Sequence, residues 1–100
     1  MQRLEKDTEK SFVDWLETFY VNEYYALKLS VLGRVGFPDR LIVGRKAFVM
    51  FIEFKRVGEE PRKLQLYWHK KLRALGFIVV VCETKEGAIS EFKKYRKKHI

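Results

Sequence analysis

The stretch that most constrains the fold is Ala47-Phe-Val-Met-Phe-Ile-Glu-Phe-Lys55, which stays apolar up to Glu53. A run that is apolar on both faces is typical of a central strand that is covered on each side. Because side chains alternate along a strand, Glu53 and Lys55 are expected on one face, together with Phe51 and Val49. A carboxylate and an ammonium group at such a place are costly without a partner or a task, so the stretch predicts further polar groups opposite them.

Size and composition indicate one folded domain that covers residues 1–100. A chain of 100 residues lies near the commonest domain size, and 47% hydrophobic with 15% aromatic residues argues against disorder. The single cysteine, Cys82, lies in an apolar run, which predicts a buried, unreactive thiol and a reducing compartment. No apolar stretch reaches the roughly 20 residues of a membrane span, and the first residues lack the apolar region of a signal peptide. We therefore expect a cytoplasmic protein without a membrane partner.

The charge of the chain points to a polyanionic partner. There are 21 Lys and Arg residues against 13 Asp and Glu residues, which leaves a net charge of +8 on 12.0 kDa. Nucleic acid is the first candidate for such a partner. The alternative is a basic surface that serves solubility alone.

Alternation, helical periodicity and turn residues predict an α/β fold. Pro61 suits the first turn of a helix and Gly76 suits the end of one, while Gly33, Gly36 and Pro38 mark a loop. A helix that joins two strands favours their parallel pairing through a crossover. The elements are expected at 4–20 (helix), 24–32 and 41–43 (strands), 44–46 (hairpin turn), 47–55 (central strand), 61–75 (helix), 77–82 (strand) and 86–98 (helix). Together they predict a mixed sheet of about four strands flanked by helices.

Each predicted helix has one apolar stripe, and the stripe of the first helix begins with acids. In that helix, Glu5 and Glu9 continue the apolar stripe backward by steps of four and three residues. They either take part in a site or only favour the positive end of the helix dipole. The expected stripes are Phe12, Trp15, Leu16 and Phe19 in the first helix, Leu64, Trp68, Leu72 and Leu75 in the second, and Ala88, Ile89, Phe92 and Tyr95 in the third.

The hairpin between the second and third predicted strands brings a further carboxylate to Glu53. Counted outward from a turn near Arg45, Asp39 and Glu53 are about equally distant, so Asp39 is expected beside Glu53 and Lys55. Converging carboxylates suit hard divalent ions such as Mg2+ or Mn2+. Such an ion polarises a phosphodiester and activates water, and Lys55 would orient that water or stabilise the developing charge. The alternative is an ion pair that closes the end of a sheet.

Other basic residues allow two interpretations. Arg34 and Arg40 flank the Pro-Asp turn, where they either touch phosphates or balance the nearby acids. The C-terminal basic run contains Lys93, Lys94 and Lys97, and it either grips a DNA backbone or is a solvated face.

The two histidines have no predicted role in a site. No other histidine or cysteine lies at ligand spacing from His69, which predicts a surface or boundary histidine. His99 is expected in the tail.

Short motifs in this chain resemble those of a nuclease family. Pro38-Asp39 followed by Glu53-Phe54-Lys55 resembles the PD-(D/E)xK nuclease motif. Its surroundings are similar to the virus-type replication-repair nuclease (VRR-NUC) domain, of the stand-alone kind found in phages and bacteria. The similarity covers about Glu5 to Glu86 and lies in Gly36–Val43, Phe51–Lys55, Gln65–Trp68, Leu72, Gly76 and Val79–Val81, with Glu5, Phe12, Val13, Trp15 and Leu16 fitting the first helix.

The resemblance implies a restriction-endonuclease-like α/β core and a role for each matching residue. The implied cofactor is Mg2+ or Mn2+, with no organic cofactor. The implied metal ligands are Asp39, Glu53 and the backbone carbonyl of Phe54. The other implied catalytic residues are Lys55 as the catalytic lysine, Gln65 lining the site, and a glutamate of the first helix, with Glu5 preferred to Glu9.

The resemblance also implies an activity, which is metal-dependent hydrolysis of phosphodiester bonds in branched DNA. Four-way (Holliday) junctions are the expected substrate. Symmetric cutting of a junction needs two active sites, so we expect a homodimer with an isologous interface, in the cytoplasm of a bacterial or phage-infected cell. The alternatives are a flap or single-strand DNA nuclease and a non-catalytic, basic DNA-binding protein.

Overall fold

The predicted helices and strands are all present in the computed structural model, which describes residues 5–30 and 35–99, apart from the Glu5 side chain. The helices are α1 (Glu5–Phe19), α2 (Lys63–Ala74) and α3 (Lys85–His99). The strands are β1 (Tyr24–Lys28), β2 (Arg40–Gly44), β3 (Phe48–Phe54) and β4 (Ile78–Cys82), and a short 3-10 turn, Arg45–Ala47, joins β2 to β3. Most element ends lie within a few residues of the predicted positions.

The strands form one four-stranded mixed sheet in the order β1-β2-β3-β4. β1 and β2 pair antiparallel, as do β2 and β3, whereas β3 and β4 pair parallel. The parallel pair is possible because α2 lies in the connection between β3 and β4 and carries the chain back to the other end of the sheet. The predicted α/β class and mixed sheet are therefore confirmed.

The larger hydrophobic core lies between the sheet and the helix pair α1 and α3. β3 contributes alternate residues from Phe48 to Phe54, as expected for the period of a strand. Both helices contribute residues that are completely buried: Phe12 and Leu16 from α1, and Ala88 and Phe92 from α3.

The smaller core lies on the opposite face of the sheet, under α2. Phe51, Val79 and Leu72 are its buried members, and Val49 packs against them from β3. β3 is thus covered on both faces, which confirms the prediction from its continuous apolar run.

The inward face of α2 differs from the predicted stripe. Leu64 and Leu75 are 53% and 74% exposed, so their assignment to the core is wrong. The buried residues of α2 are Gln65, His69 and Leu72, which share one face because they are four and three residues apart. This face is polar at its N-terminal end, where the helix approaches the polar end of β3.

Two further features of the chain bear on the sequence predictions. Cys82 is buried, and this burial, with the nearby Glu91 carboxylate, raises the pKa of its thiol to about 12. The prediction of a buried, unreactive thiol is therefore supported. Within the described ranges, no helix is both long and apolar enough to cross a membrane.

The β2–β3 hairpin begins at a glycine that has no room for a side chain. Gly44 pairs with Tyr24 across β1 and β2, and a Cβ atom at Gly44 would lie 2.0 Å from Cδ1 of the Tyr24 ring. Tyr24 is completely buried in the larger core, so its ring cannot move aside without disturbing its neighbours. The close approach, rather than the backbone conformation, requires glycine here.

We expect Gly44→Ala to lower the free energy of unfolding by about 1–3 kcal/mol, as for other overpacked positions. Urea denaturation followed by circular dichroism measures this change. The same substitution in a Tyr24→Leu background should cost less, because the ring that causes the collision is gone. An equal cost in both backgrounds would contradict the packing explanation.

Candidate active site

The register of the β2–β3 hairpin brings Asp39 to Glu53. Arg40 pairs with Ile52 and Leu41 with Phe51, so the same register extended by one residue sets Asp39 opposite Glu53. Both acids thus lie at the same end of the sheet, as the count from the turn predicted.

Glu53 is completely buried, and its two carboxylate oxygens have different surroundings. Oε1 lies 3.1 Å from Nε2 of His69. Oε2 lies 3.9 Å from Nζ of Lys55, which is a contact between charges but too long for a hydrogen bond. Among the residues that the structure describes, Oε2 has no hydrogen-bond partner. Because an unsatisfied buried carboxylate oxygen is costly, this atom marks the place where a further ligand would be most favourable.

Lys55 is also buried, although it lies one residue beyond the end of β3. Its backbone N–H donates a hydrogen bond to the Cys82 carbonyl, 2.9 Å away, and this bond continues the pairing with β4. Its ammonium group lies between Glu53 and Glu59, whose Oε1 is 4.0 Å away. Glu53 and Lys55 are thus held at the sheet end by the backbone pairing itself, as the sequence predicted from their spacing.

Asp39 lies in a negative environment. Its partial burial raises the pKa of its carboxyl group, and the negative charges of Glu53 and Glu9 raise it further. A hydrogen bond from the backbone N–H of Phe54 and the charge of Lys55 act in the opposite direction. The net result is a carboxyl group that holds its proton more tightly than usual, as expected where several acids share one partly buried region.

Glu9 is the first-helix glutamate that the structure places near this cluster. It is buried and forms an ion pair with Nε of Arg40. Arg40 also donates a hydrogen bond from Nη1 to the Ala26 carbonyl at 3.1 Å. Of the two interpretations of Arg40, the structure favours charge balance, since its guanidinium group is occupied by an acid and a carbonyl. The Glu5 side chain and Arg34 lie outside the described residues, so their predicted roles stay predictions.

Gln65 is buried in the first turns of α2, on the face that also carries His69. Its Oε1 accepts a hydrogen bond from the backbone N–H of Arg62, 2.7 Å away, and so it satisfies a donor at the start of the helix. The described contact of this side chain is thus a helix cap, and its predicted place in the site stays a prediction.

His69 is the residue of the cluster that the sequence interpretation missed. The sequence predicts a surface or boundary histidine at this position, but His69 is 2% exposed and contacts Glu53. His69 lies four residues after Gln65 and three before Leu72, so all three share the buried face of α2. This spacing is the signal that could have identified His69, because polar residues on a buried helix face require polar partners.

At Gly36, the segment that leads to Asp39 packs closely against α2, the helix that carries His69. It has a φ of +90°, and a Cβ atom there would lie 2.7 Å from the backbone carbonyl carbon of Leu64. Glycine is therefore required both for the backbone conformation and for the close approach to α2.

The predicted DNA-binding lysines lie on α3, which packs on the other face of the sheet from α2. Lys93, Lys94 and Lys97 are all exposed. Lys94 pairs with Glu91 at 3.7 Å, and Lys93 lies over the Trp15 ring. The helix ends at His99, whose ring packs against Phe48 in the hairpin, so this tail residue is in contact with the domain.

The residues present fit a divalent cation with few protein ligands. In the described part of the chain, no group of three or more His, Cys, Asp or Glu residues is arranged to hold a metal. Mg2+ does not need such a cage, because it is usually bound through one or two carboxylates, waters and substrate phosphates. Asp39 and Glu53 supply two carboxylates, and Oε2 of Glu53 is the buried oxygen that remains without a hydrogen bond.

Comparison with known proteins identifies the family of this fold. A solved structure described as a VRR_NUC domain superposes with a TM-score of 0.80 at 26% sequence identity, and the match covers 91% of this chain and 96% of that one. The chain has the fold of a VRR-NUC domain. This agrees with the resemblance in the motifs and confirms the restriction-endonuclease-like α/β core.

A sequence relative of this chain is a phage protein named "Putative nuclease p44", from Acyrthosiphon pisum secondary endosymbiont phage 1. The two are 39% identical over 61 residues, which are 61% of this chain and 66% of the phage protein. The chain thus spans slightly less than two thirds of that relative. A search of family models found no match.

We expect Asp39→Asn to stabilise the metal-free domain at pH 7. Because the pKa of Asp39 is raised in the folded state, its ionised form opposes folding, and the substitution removes that charge. The gain should reach at most about 1 kcal/mol, since the group is only partly buried and solvent screens it. It should shrink as the pH falls into the range where Asp39 binds its proton in both states. Thermal unfolding with a chelator at several pH values checks this, and a lower stability of the variant at pH 7 would contradict it.

Proposed function

We propose that this VRR-NUC-like domain is a Mg2+- or Mn2+-dependent DNA endonuclease that cuts branched DNA, with four-way (Holliday) junctions as its main substrate. The observation that carries the proposal is the unsatisfied Oε2 of the buried Glu53, directly across the hairpin from Asp39. The name of the phage relative and the net charge of +8 support the same conclusion.

The metal would be held by Asp39, Glu53 and the backbone carbonyl of Phe54, with Glu9 or Glu5 completing the site. When bound, the cation supplies Lewis acidity toward a phosphate oxygen and lowers the pKa of a coordinated water. The protein contributes the geometry, because Glu53 is on β3 and Asp39 directly precedes β2, which pairs with β3 in a fixed register. It also contributes a negative environment, which favours a cation at the point where the acids raise the pKa of Asp39.

Lys55 would act on the phosphate. Its ammonium group is buried and lies 3.9 Å from Oε2 of Glu53, so it partly neutralises that oxygen when the cation is absent. With DNA in the site, the same group is placed to orient the attacking water or to stabilise the charge that develops on the phosphate. Burial strengthens this effect, because a charge in a water-excluded region is screened less.

Binding of DNA would depend on shape and backbone rather than on base sequence. The excess of basic residues favours phosphate contacts, which carry no information about base sequence. We assign Lys93, Lys94 and Lys97 to this role, with Arg34 near the Pro-Asp turn. Arg40 would act mainly through Glu9.

The second candidate function is that of a basic DNA-binding protein without catalysis. It is favoured by the contacts of Glu53 with His69 and Lys55, which could serve only to compensate a buried charge. A flap or single-strand nuclease is the alternative within enzymes.

We expect wild-type protein to cut four-way junctions only when Mg2+ or Mn2+ is added. Asp39→Asn and Lys55→Ala should each slow cutting by about 10²-fold or more, as loss of a transition-state contact does, while junction binding persists. Gel assays with labelled junctions, flaps and linear duplexes measure cutting, and mobility shifts measure binding. Lys10→Ala is a matched control, because Lys10 is exposed and pairs only with Asp14 among the contacts described for it. Binding without any cutting by the wild type would favour the non-catalytic candidate, and faster cutting of flaps would favour the flap nuclease.

We also propose a homodimer in the cytoplasm of a bacterial or phage-infected cell, because symmetric cutting of a junction needs two active sites. Size-exclusion chromatography with light scattering should give about twice the 12.0 kDa of one chain. A protein that stays monomeric at micromolar concentration, also with junction DNA bound, would contradict the paired-site mechanism.

A further inference from the structure

The inward face of α2 changes from apolar to polar between two consecutive turns. Leu72 packs with Phe51 and Val79 in the smaller core. Three residues earlier on the same face, the buried position is taken by His69, which contacts Glu53. An apolar residue at position 69 would extend the same core, so the imidazole must be explained by the carboxylate that it meets.

The contact with His69 makes the two oxygens of Glu53 unequal. An ionised carboxylate only accepts hydrogen bonds, so in that state Nε2–H of His69 is the donor and Oε1 is the acceptor. The other oxygen, Oε2, is left without a hydrogen bond among the described residues and lies on the side of Lys55. One fixed oxygen restricts rotation of the carboxylate about its last bond, and it thereby fixes the direction of the other oxygen.

Charge compensation alone does not account for His69. Lys55 already supplies a positive charge 3.9 Å from Oε2, but at that distance it does not fix the carboxylate orientation. His69, at 3.1 Å from Oε1, is the described residue within hydrogen-bond distance of this carboxylate. Its ring is itself held on a helix that packs against the sheet through Leu72.

We propose that His69 is a positioning residue for the metal site: its hydrogen bond to Oε1 holds Glu53 so that Oε2 faces the cation. This inference rests on the proposed function, since it takes Glu53 as a metal ligand. Groups that hydrogen-bond to a ligating carboxylate typically change metal affinity by about 10–100-fold. His69 would therefore act on metal affinity without touching the metal, the DNA or the reacting atoms.

The test is calorimetric titration of Mn2+ into metal-free protein, with thermal unfolding measured on the same samples. We expect His69→Leu, which removes the donor at similar volume, to weaken Mn2+ binding by about 10–100-fold. His69→Gln should recover most of the affinity, because its side-chain amide offers a donor at a reach similar to that of Nε2. The concentration of Mn2+ needed for half-maximal cutting should shift in the same order.

Leu72→Ala is the matched control, since Leu72 lies on the same face of α2 and its packing among the described residues is in the smaller core. It should lower the melting temperature and leave the Mn2+ affinity within about twofold of the wild type, well below the change expected from loss of a group that holds a ligand. If loosening of α2 were the whole effect of His69→Leu, then Leu72→Ala would weaken Mn2+ binding as well.

The outcomes separate this inference from the proposed function. Wild-type binding of Mn2+ that Asp39→Asn does not reduce would overturn the proposed function, and this inference with it. Binding that depends on Asp39 but is equal in wild type and His69→Leu would overturn the inference alone. Should His69→Leu not fold, His69→Asn replaces it, because its amide is too short to reach Oε1 from the same backbone. Equal Mn2+ affinity in His69→Asn and His69→Gln would then reject the role of His69.

Discussion

A single carboxylate, buried completely at the end of the central strand, determines much of the surrounding structure. Glu53 follows an apolar run that is covered on both faces, so its charge is far from free solvent. Burying such a group alone is strongly unfavourable. The neighbouring residues are arranged accordingly, with an imidazole at one oxygen, an ammonium group near the other, and a second acid across the hairpin whose proton is held tightly.

The two faces of the sheet differ in content: one carries most of the apolar core, and the other carries the polar cluster around Glu53. The face under α1 and α3 is filled by fully buried side chains such as Phe12, Phe54 and Phe92 and forms the larger core. The face under α2 has a smaller core, and its polar end holds Glu53 and His69. A domain of this size can place polar groups in its interior because most of its apolar burial lies on the face that they do not occupy.

The fold and the proximity of Asp39 to Glu53 could be predicted from the sequence, since both follow from short-range spacing along the chain. A continuous apolar run defines β3, and a short turn near Arg45 requires that residues at equal distances from it meet, as Asp39 and Glu53 do. The parallel pairing of β3 with β4 follows from the helix between them.

Contacts between elements that are distant in sequence could not be predicted in this way. Helical periodicity assigned the apolar Leu64 and Leu75 to the inward face of α2, whereas the polar strand end beneath that helix selects Gln65 and His69. The resemblance and the apolar spacing favour Glu5 over Glu9 in the first helix, but the Glu5 side chain lies outside the described residues. Only the three-dimensional pairing of Arg40 shows that Glu9 reaches the region of Asp39.

The contact of Gly36 with α2 has a consequence for how the site can vary. Because Gly36 meets the backbone of Leu64 without a side chain between them, the distance between this turn and α2 is set by the two backbones alone. Any side chain at position 36 would act as a wedge between the two halves of the site. Divergent or redesigned versions of this domain are therefore confined to one spacing between the turn before Asp39 and the helix that carries His69.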